Sequence, residues 1–335
     1  MRLCMCIMRS KCWGGVFDEP INPVEPPIEK PETPVEPPVE KPEAPTTPPS
    51  TEDLLTIKIE DEIMAVVGTN TWNAIAYGNG KYVAVGTNGY VTTSTDGINW
   101  TTPEQRLRTS GKRIVYANDY FLVSLYFGSF SKSFDAETWT YTGRIGSNLS
   151  DWYDIVHGNG IWVAVGENGS RGYITTSIDG LSWTEPTIHT EVETIYSVAY
   201  GNGKFIATGT GGYIFTSEDG QNWESVKIDA FQSILFEKII YANGLFVACG
   251  WQYTDTYIGC IVTSTDGATW SEPYKTNYSK WLNIAYRNGL FVCVGSNAEA
   301  SACKSVDGKN WTLFQITDED GNKVSKTLYG VIMML

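Results

Sequence analysis

The chain has 335 residues, is 42% hydrophobic and carries a net charge of −14. Nucleic-acid binding needs Lys and Arg to displace phosphate counterions, so this balance excludes that class of partner. No apolar run is long enough to span a bilayer, which excludes insertion into a membrane by a helix.

Residues 1–17 hold three bases and no acid. Arg2 and Arg9 leave only six residues between them, too short an apolar core for a signal peptide. Cys4, Cys6 and Cys12 match no standard lipidation or metal spacing. The segment is expected to be a structureless leader.

Residues 18–53 are rich in Pro and Glu, with ten acids against two bases. The text Pro26-Pro27-Ile28-Glu29-Lys30-Pro31 returns as Pro37-Pro38-Val39-Glu40-Lys41-Pro42. Pro fixes φ and removes a donor, which favours extended polyproline II. Little in this stretch can be buried, so it reads as a disordered, semi-rigid acidic linker.

Residues 54–335 read as one β domain. From Trp72 the elements repeat. Trp72–Tyr77 has the composition of a first strand. Asn79-Gly80 is a two-residue type I′ hairpin signal, which needs positive φ at both positions. Lys81–Val85 is a second strand and Tyr90–Thr93 a third. Asp96-Gly97 turns the chain, and Asn99-Trp100-Thr101 opens a fourth. These stretches are rich in Val, Ile, Thr and aromatics, as half-buried strands are.

The turn between third and fourth strands recurs six times as Ser-x-Asp-x-x-x-Trp. Its anchors are Asp96 and Trp100, Asp135 and Trp139, Asp179 and Trp183, Asp219 and Trp223, Asp266 and Trp270, and Asp307 and Trp311. The Trp spacings are 39, 44, 40, 47 and 41 residues. A period near 40 with four short strands per unit predicts an all-β propeller of four-stranded antiparallel blades. An Asp at such a turn can accept backbone N–H groups, and the Trp can pack across the sheet. Six identical carboxylates cannot share one catalytic pocket, so both residues read as structural.

The phrase resembles the Asp-box (BNR) repeat of sialidase-like propellers, with Gly one residue earlier and the loop one residue shorter. It is also similar to photosystem II assembly factor-like propellers. The resemblance covers about residues 72–335 and implies architecture far more than activity.

After Trp311, Leu328–Ile332 aligns with Trp72–Ala76 as the first strand of a further unit. Leu54–Val67 is β-rich. The expectation is a seven-bladed ring whose ends pair in a composite closing blade, with six blades as the alternative.

Loop lengths single out one face. The Asn-Gly hairpins and the Asp turns are constant in length. From Gly86, Gly166, Gly209, Gly250 and Gly295 to the next motif Ser the gaps are 8, 11, 8, 14 and 10 residues. These second-to-third connections share a face with the fourth-to-first connections. Loops accept insertions and binding residues where backbone is solvated. The candidate ligand-binding residues there are Trp251, Tyr253, Tyr257, Tyr274, Tyr278, Glu167, Arg171, Arg106 and Arg108. Aromatics beside polar groups suit a glycan or a protein ligand.

Catalytic signals are weak. The resemblance implies, for a sialidase, three convergent Arg, a Tyr nucleophile with a Glu partner, and an Asp acid. The nearest string to the family's Arg-Ile-Pro motif is Arg113-Ile114-Val115, without Pro. His157 replaces a repeat Tyr and reads as structural, and His189 is the only other His. No phosphate loop and no metal or cofactor motif appears. Cys249 and Cys260 flank one hairpin, and Cys293 and Cys303 lie near each other in the next unit. Cross-strand disulfides are one reading of them and buried thiols the other.

The expectation is a non-catalytic recognition propeller on a Pro-rich stalk, displayed at a surface or on a virion such as a phage tail. A sialidase-like glycoside hydrolase and an intracellular assembly factor are the alternatives.

Overall fold

The computed structural model describes residues 3–7, 70–97, 99–146, 151–277, 279–297, 302–314 and 328–333. Six four-stranded antiparallel sheets follow one another in chain order, and each is one sequence repeat. The fold is a β-propeller with six full blades, the lower of the two expected counts.

The inner strands are Trp72–Gly78, Gly111–Ala117, Asp151–Gly158, Ile195–Gly201, Ile234–Ala242 and Ser279–Arg287. Each joins its second strand through the predicted two-residue turn. Asn and the residue after it both have positive φ, as at Asn79 (48°) and Gly80 (72°), and at Asn118 (52°) and Asp119 (63°). That conformation matches the twist of the flanking strands.

The Asp turns are built alike. Asp219 Oδ1 accepts from the backbone N–H of Gln221 and Asn222, both at 2.8 Å, and Ser217 donates to it at 3.0 Å. Trp223 Nε1 donates 2.8 Å to the carbonyl of Gly220. The residue after the Asp is left-handed in every copy, which is why Gly stands there in five; Ala136 holds the same conformation at φ 65°. The motif holds its own hairpin, and its backbone carbonyls also accept from neighbouring blades, as Asp179 O does from Lys132 Nζ at 2.7 Å.

Blades pack by rings set on glycines. A Cβ at Gly78, Gly158 or Gly201 would lie 1.9, 2.2 or 1.9 Å from Cγ of Tyr116, Tyr200 or Tyr241 of the next blade. This explains the aromatic two residues before each Asn-Gly turn. His157 takes that place in blade three, 4.9 Å from Trp162, and burial lowers its pKa, so it stays neutral.

The interior between blades is apolar, with fully buried Trp152, Trp162, Trp281, Phe205, Phe246 and Phe291. Cys249, Cys260, Cys293 and Cys303 are free thiols within it. Cys293 does face Cys303 across two strands, whereas Cys249 and Cys260 are offset by one position. Burial raises the Cys260 thiol to about 11 and pushes the Cys249 and Cys293 thiols well up too, so they act as small apolar residues.

The described ends of the chain pair with each other. Leu328–Met333 packs on the inner and second strands of blade six, as each inner strand packs on the blade before it. Its antiparallel partner is Leu3–Ile7, within the supposed structureless leader. The composition of residues 1–17 hid this strand because an isolated five-residue run gains nothing until a neighbour supplies its ladder. Leu54–Val67 and the linker 18–53 lie outside the described residues.

Candidate functional site

In all six blades the pairing of inner and second strands slips by one residue near the start of the inner strand. The extra residues are Asn73, Lys112, Tyr153, Tyr196, Glu237 and Leu282. A Cβ on Gly250 would meet the carbonyl of Leu235 at 2.0 Å, so glycine opposite the bulge lets the bulged backbone approach. All six bulges stand at the end of the sheets that carries the variable connections. A bulge re-aims its side chain, and here it does so once per blade.

Four consecutive bulge residues form an arc. Lys112 Nζ lies 4.5 Å from the ring of Tyr153 and 2.7 Å from Asp151 Oδ2. Tyr153 meets Tyr196 at 5.4 Å between centroids. Tyr153 donates 2.9 Å to Glu167 Oε1. Tyr196 is half-buried; burial, then Glu237, Glu167 and Glu193, raise its phenol to about 12. Burial followed by Glu167 raises Tyr153 further still. Both phenols therefore remain protonated donors at neutral pH.

The arc runs on into blade five. Trp251 Nε1 donates 3.0 Å to Glu237 Oε1. The Trp251 ring meets Tyr257 edge-on at 5.4 Å, and Tyr253 lies 5.1 Å from Tyr257. Lys280 of blade six places Nζ 3.7 Å from Tyr257 and 4.5 Å from Trp251. Tyr253 and Tyr257 are exposed, as are Tyr126 and Phe127 in blade two. Lys112 Nζ also lies 4.4 Å from Tyr126 of its own blade, which adds that ring to the arc.

Among the predicted residues, the structure brings together Trp251, Tyr253, Tyr257 and Glu167. Trp251 stands at the opposite end of blade five from the Asp266 turn, because the strand Tyr257–Ser264 separates them. Arg171 is exposed in the blade-three connection, its backbone N–H 3.1 Å from Asn168 Oδ1. Three further residues lie against other parts of the blades. Tyr274 opens an outer strand opposite Ile261 and packs into the core between blades five and six. Arg106 pairs with Glu104 at 3.0 Å and donates to the carbonyl of Ala136, bracing blade one on blade two. Arg108 lies 4.3 Å from the ring of Tyr141 in blade two. Loop length alone could not separate braces from free side chains. Tyr278 lies outside the described residues.

Sequence reasoning missed Lys112, Tyr153, Tyr196, Glu237 and Lys280. The bulge column varies in chemistry, but so does the next one, Ala74, Arg113, Asp154, Ser197, Lys238 and Asn283, so variation alone did not mark it. Without the bulge, that column reads as ordinary strand interior.

Beneath the arc lies a buried ion cluster. Asp154 takes Arg113 Nε at 2.9 Å on one oxygen and Lys238 Nζ at 2.7 Å on the other. Ser197 Oγ donates to the latter oxygen at 2.5 Å. Burial alone would raise the Asp154 pKa; Arg113, then Lys238, outweigh it and hold the carboxyl below its usual range. Arg113 is thus committed to an internal pair. Among the described residues no group of three or more His, Cys, Asp or Glu could hold a metal.

No family model matches the chain, and no curated protein matches it. Solved structures do. A streptogramin B lyase is 11% identical with a TM-score of 0.59, the match covering 76% of this chain and 90% of that one. YCF48 bound to a D1 peptide is 18% identical with a TM-score of 0.55, covering 76% and 83%. YCF48 from Cyanidioschyzon merolae is 15% identical with a TM-score of 0.50, covering 70% and 81%. These proteins are β-propellers. At such identities the likeness shows the fold alone.

Proposed function

We propose that this chain is a non-catalytic recognition propeller whose variable face binds a protein segment. The carrying observation is the arc from Lys112 through Tyr153, Tyr196, Glu237 and Trp251 to Lys280, which spans five blades at one end of the ring. Aromatic rings with one wet edge and paired charges are the composition of interface anchors. A neighbour of the same fold bound to a peptide supports a protein ligand over a glycan.

The Tyr153–Glu167 pair is what favours the alternative, a sialidase-like hydrolase, since the Asp turns resemble the Asp-box repeat of that group. Two observations weigh against it. The Tyr153 phenol is raised, the wrong direction for a nucleophile. Arg113, the residue nearest to the family's arginine motif, is buried on Asp154. Display at a surface or on a virion rests on the Pro-rich composition of residues 18–53; the assembly-factor alternative rests on the resemblance noted above.

The test is a peptide array and a glycan array, each probed with the full chain and with the W251A/Y253A variant. Peptide hits that the variant loses by tenfold or more support the proposal. Glycan hits with the same loss would move the ligand to the glycan class. Retained binding in the variant defeats the site, and turnover of an aryl-glycoside panel would defeat the non-catalytic reading.

A further inference from the structure

The face bearing the aromatic arc also receives both ends of residues 8–69. Inner strands start on the variable face and run toward the Asn-Gly turns, so Asn70, just before Trp72–Gly78, lies on that face. Leu328–Met333 packs like an inner strand and runs the same way. Its antiparallel register sets Ile7 opposite Leu328, again at the variable face. The intervening chain leaves and returns on one side of the ring.

That chain contains two copies of an 11-residue unit, 23–33 and 34–44, which differ only at Ile28/Val39 and Thr33/Ala44. Prolines three apart recur at Pro23/Pro26, Pro31/Pro34, Pro34/Pro37 and Pro42/Pro45. Polyproline II has about three residues per turn, so each such pair presents one edge. Aromatic-lined surfaces bind that edge well because the helix is ordered before it docks. On the same face Trp251, Tyr253 and Tyr257 are clustered, with Tyr253 and Tyr257 exposed. Residues 8–22 and 46–69 serve as tethers. At about 3.3 Å per residue they reach on the order of 50 and 80 Å, enough to bring the repeats to blade five.

We propose that the proline repeats, residues 23–45, dock in cis on the Trp251–Tyr253–Tyr257 surface. This rests on reading that surface as a recognition site, and it means that an outside partner competes with a tethered occupant. Attachment to the same chain gives the segment an effective concentration on the order of mM. If the segment itself binds with an intrinsic Kd of about 100 µM, an outside peptide meets roughly tenfold competition from it.

The experiment uses the full chain, a full-length version with residues 18–53 replaced by Gly/Ser of equal length, and that version carrying W251A/Y253A. A labelled synthetic peptide of residues 23–45 is titrated against each by anisotropy, with CD confirming the fold. Expected are binding to the replaced chain, about tenfold weaker binding to the natural chain, and loss in the double variant. In parallel, Glu-specific proteolysis of the natural chain at Glu32 and Glu43 should run several-fold slower than in W251A/Y253A. No peptide binding to the replaced chain, or equal binding to replaced and natural chains, overturns the inference, as does equal cleavage. If array ligands still bind the replaced chain through Trp251, only cis docking fails and the recognition reading stands.

Discussion

At the scale of single residues, the Asp turns show how one side chain fixes a hairpin. Backbone N–H groups, chiefly those of Thr138, Ser182 and Thr269, hold Asp135, Asp179 and Asp266 at about 2. Asp219 is lower still, by the N–H of Asn222; in Asp307 the N–H of Asn310 and its side chain overcome burial. A carboxylate depressed in the fold stabilises it fully above its unfolded value, near 4, and loses that contribution as pH falls toward 2. The thermal midpoint should therefore drop steeply between pH 4 and pH 2. An Asp219→Asn variant should melt below the natural protein at pH 6, with the gap shrinking by pH 2. Asp219 is solvent-exposed and accepts from neutral donors, so added salt should change the gap little.

At the scale of elements, the repeat is a blade because each strand brings part of its neighbour's packing. The Tyr-on-Gly contact is the clearest case. Gly201 leaves room for the Tyr241 ring, and a Cβ there would sit 1.9 Å from Cγ. Gly201→Val should cost about 2–3 kcal/mol, because the added carbons overlap the Tyr241 ring and force the blades apart. Chemical denaturation would read this as a lower midpoint with an unchanged slope. A cost below about 0.5 kcal/mol would show that the blades adjust freely. The bulge is the element that sequence patterning did not reveal. Alternation marks which residues face the core, but a one-residue slip is silent in the text. Hence Trp251 and Glu167 were legible from loop length, whereas Tyr153, Tyr196 and Glu237 were not.

At the scale of the whole molecule, the buried cluster joins blades that lie far apart in sequence. Asp154 on blade three draws in Arg113 from blade two, Ser197 from blade four and Lys238 from blade five. Asp154→Asn would leave two cations buried without their counter-charge. The expected loss is about 3–5 kcal/mol, read from denaturant midpoints. Replacing Arg113, Asp154 and Lys238 together by apolar residues should restore much of it, because removing a buried network is gentler than breaking it. If the single variant were neutral, the cluster would not hold the blades.

The sequence by itself determined the modular part of this protein: four strands per unit, the turns that join them, and the face where connections vary. Those features are local, set by φ preferences and period-two burial within some forty residues. The tertiary structure decided the rest. It brought Lys112, Tyr153, Tyr196, Glu237 and Lys280 to one end of the ring, buried Arg113, turned Arg106 and Arg108 into braces, and paired Leu3–Ile7 with Leu328–Met333. Contacts between blades depend on register and on distant partners, and no single repeat encodes either.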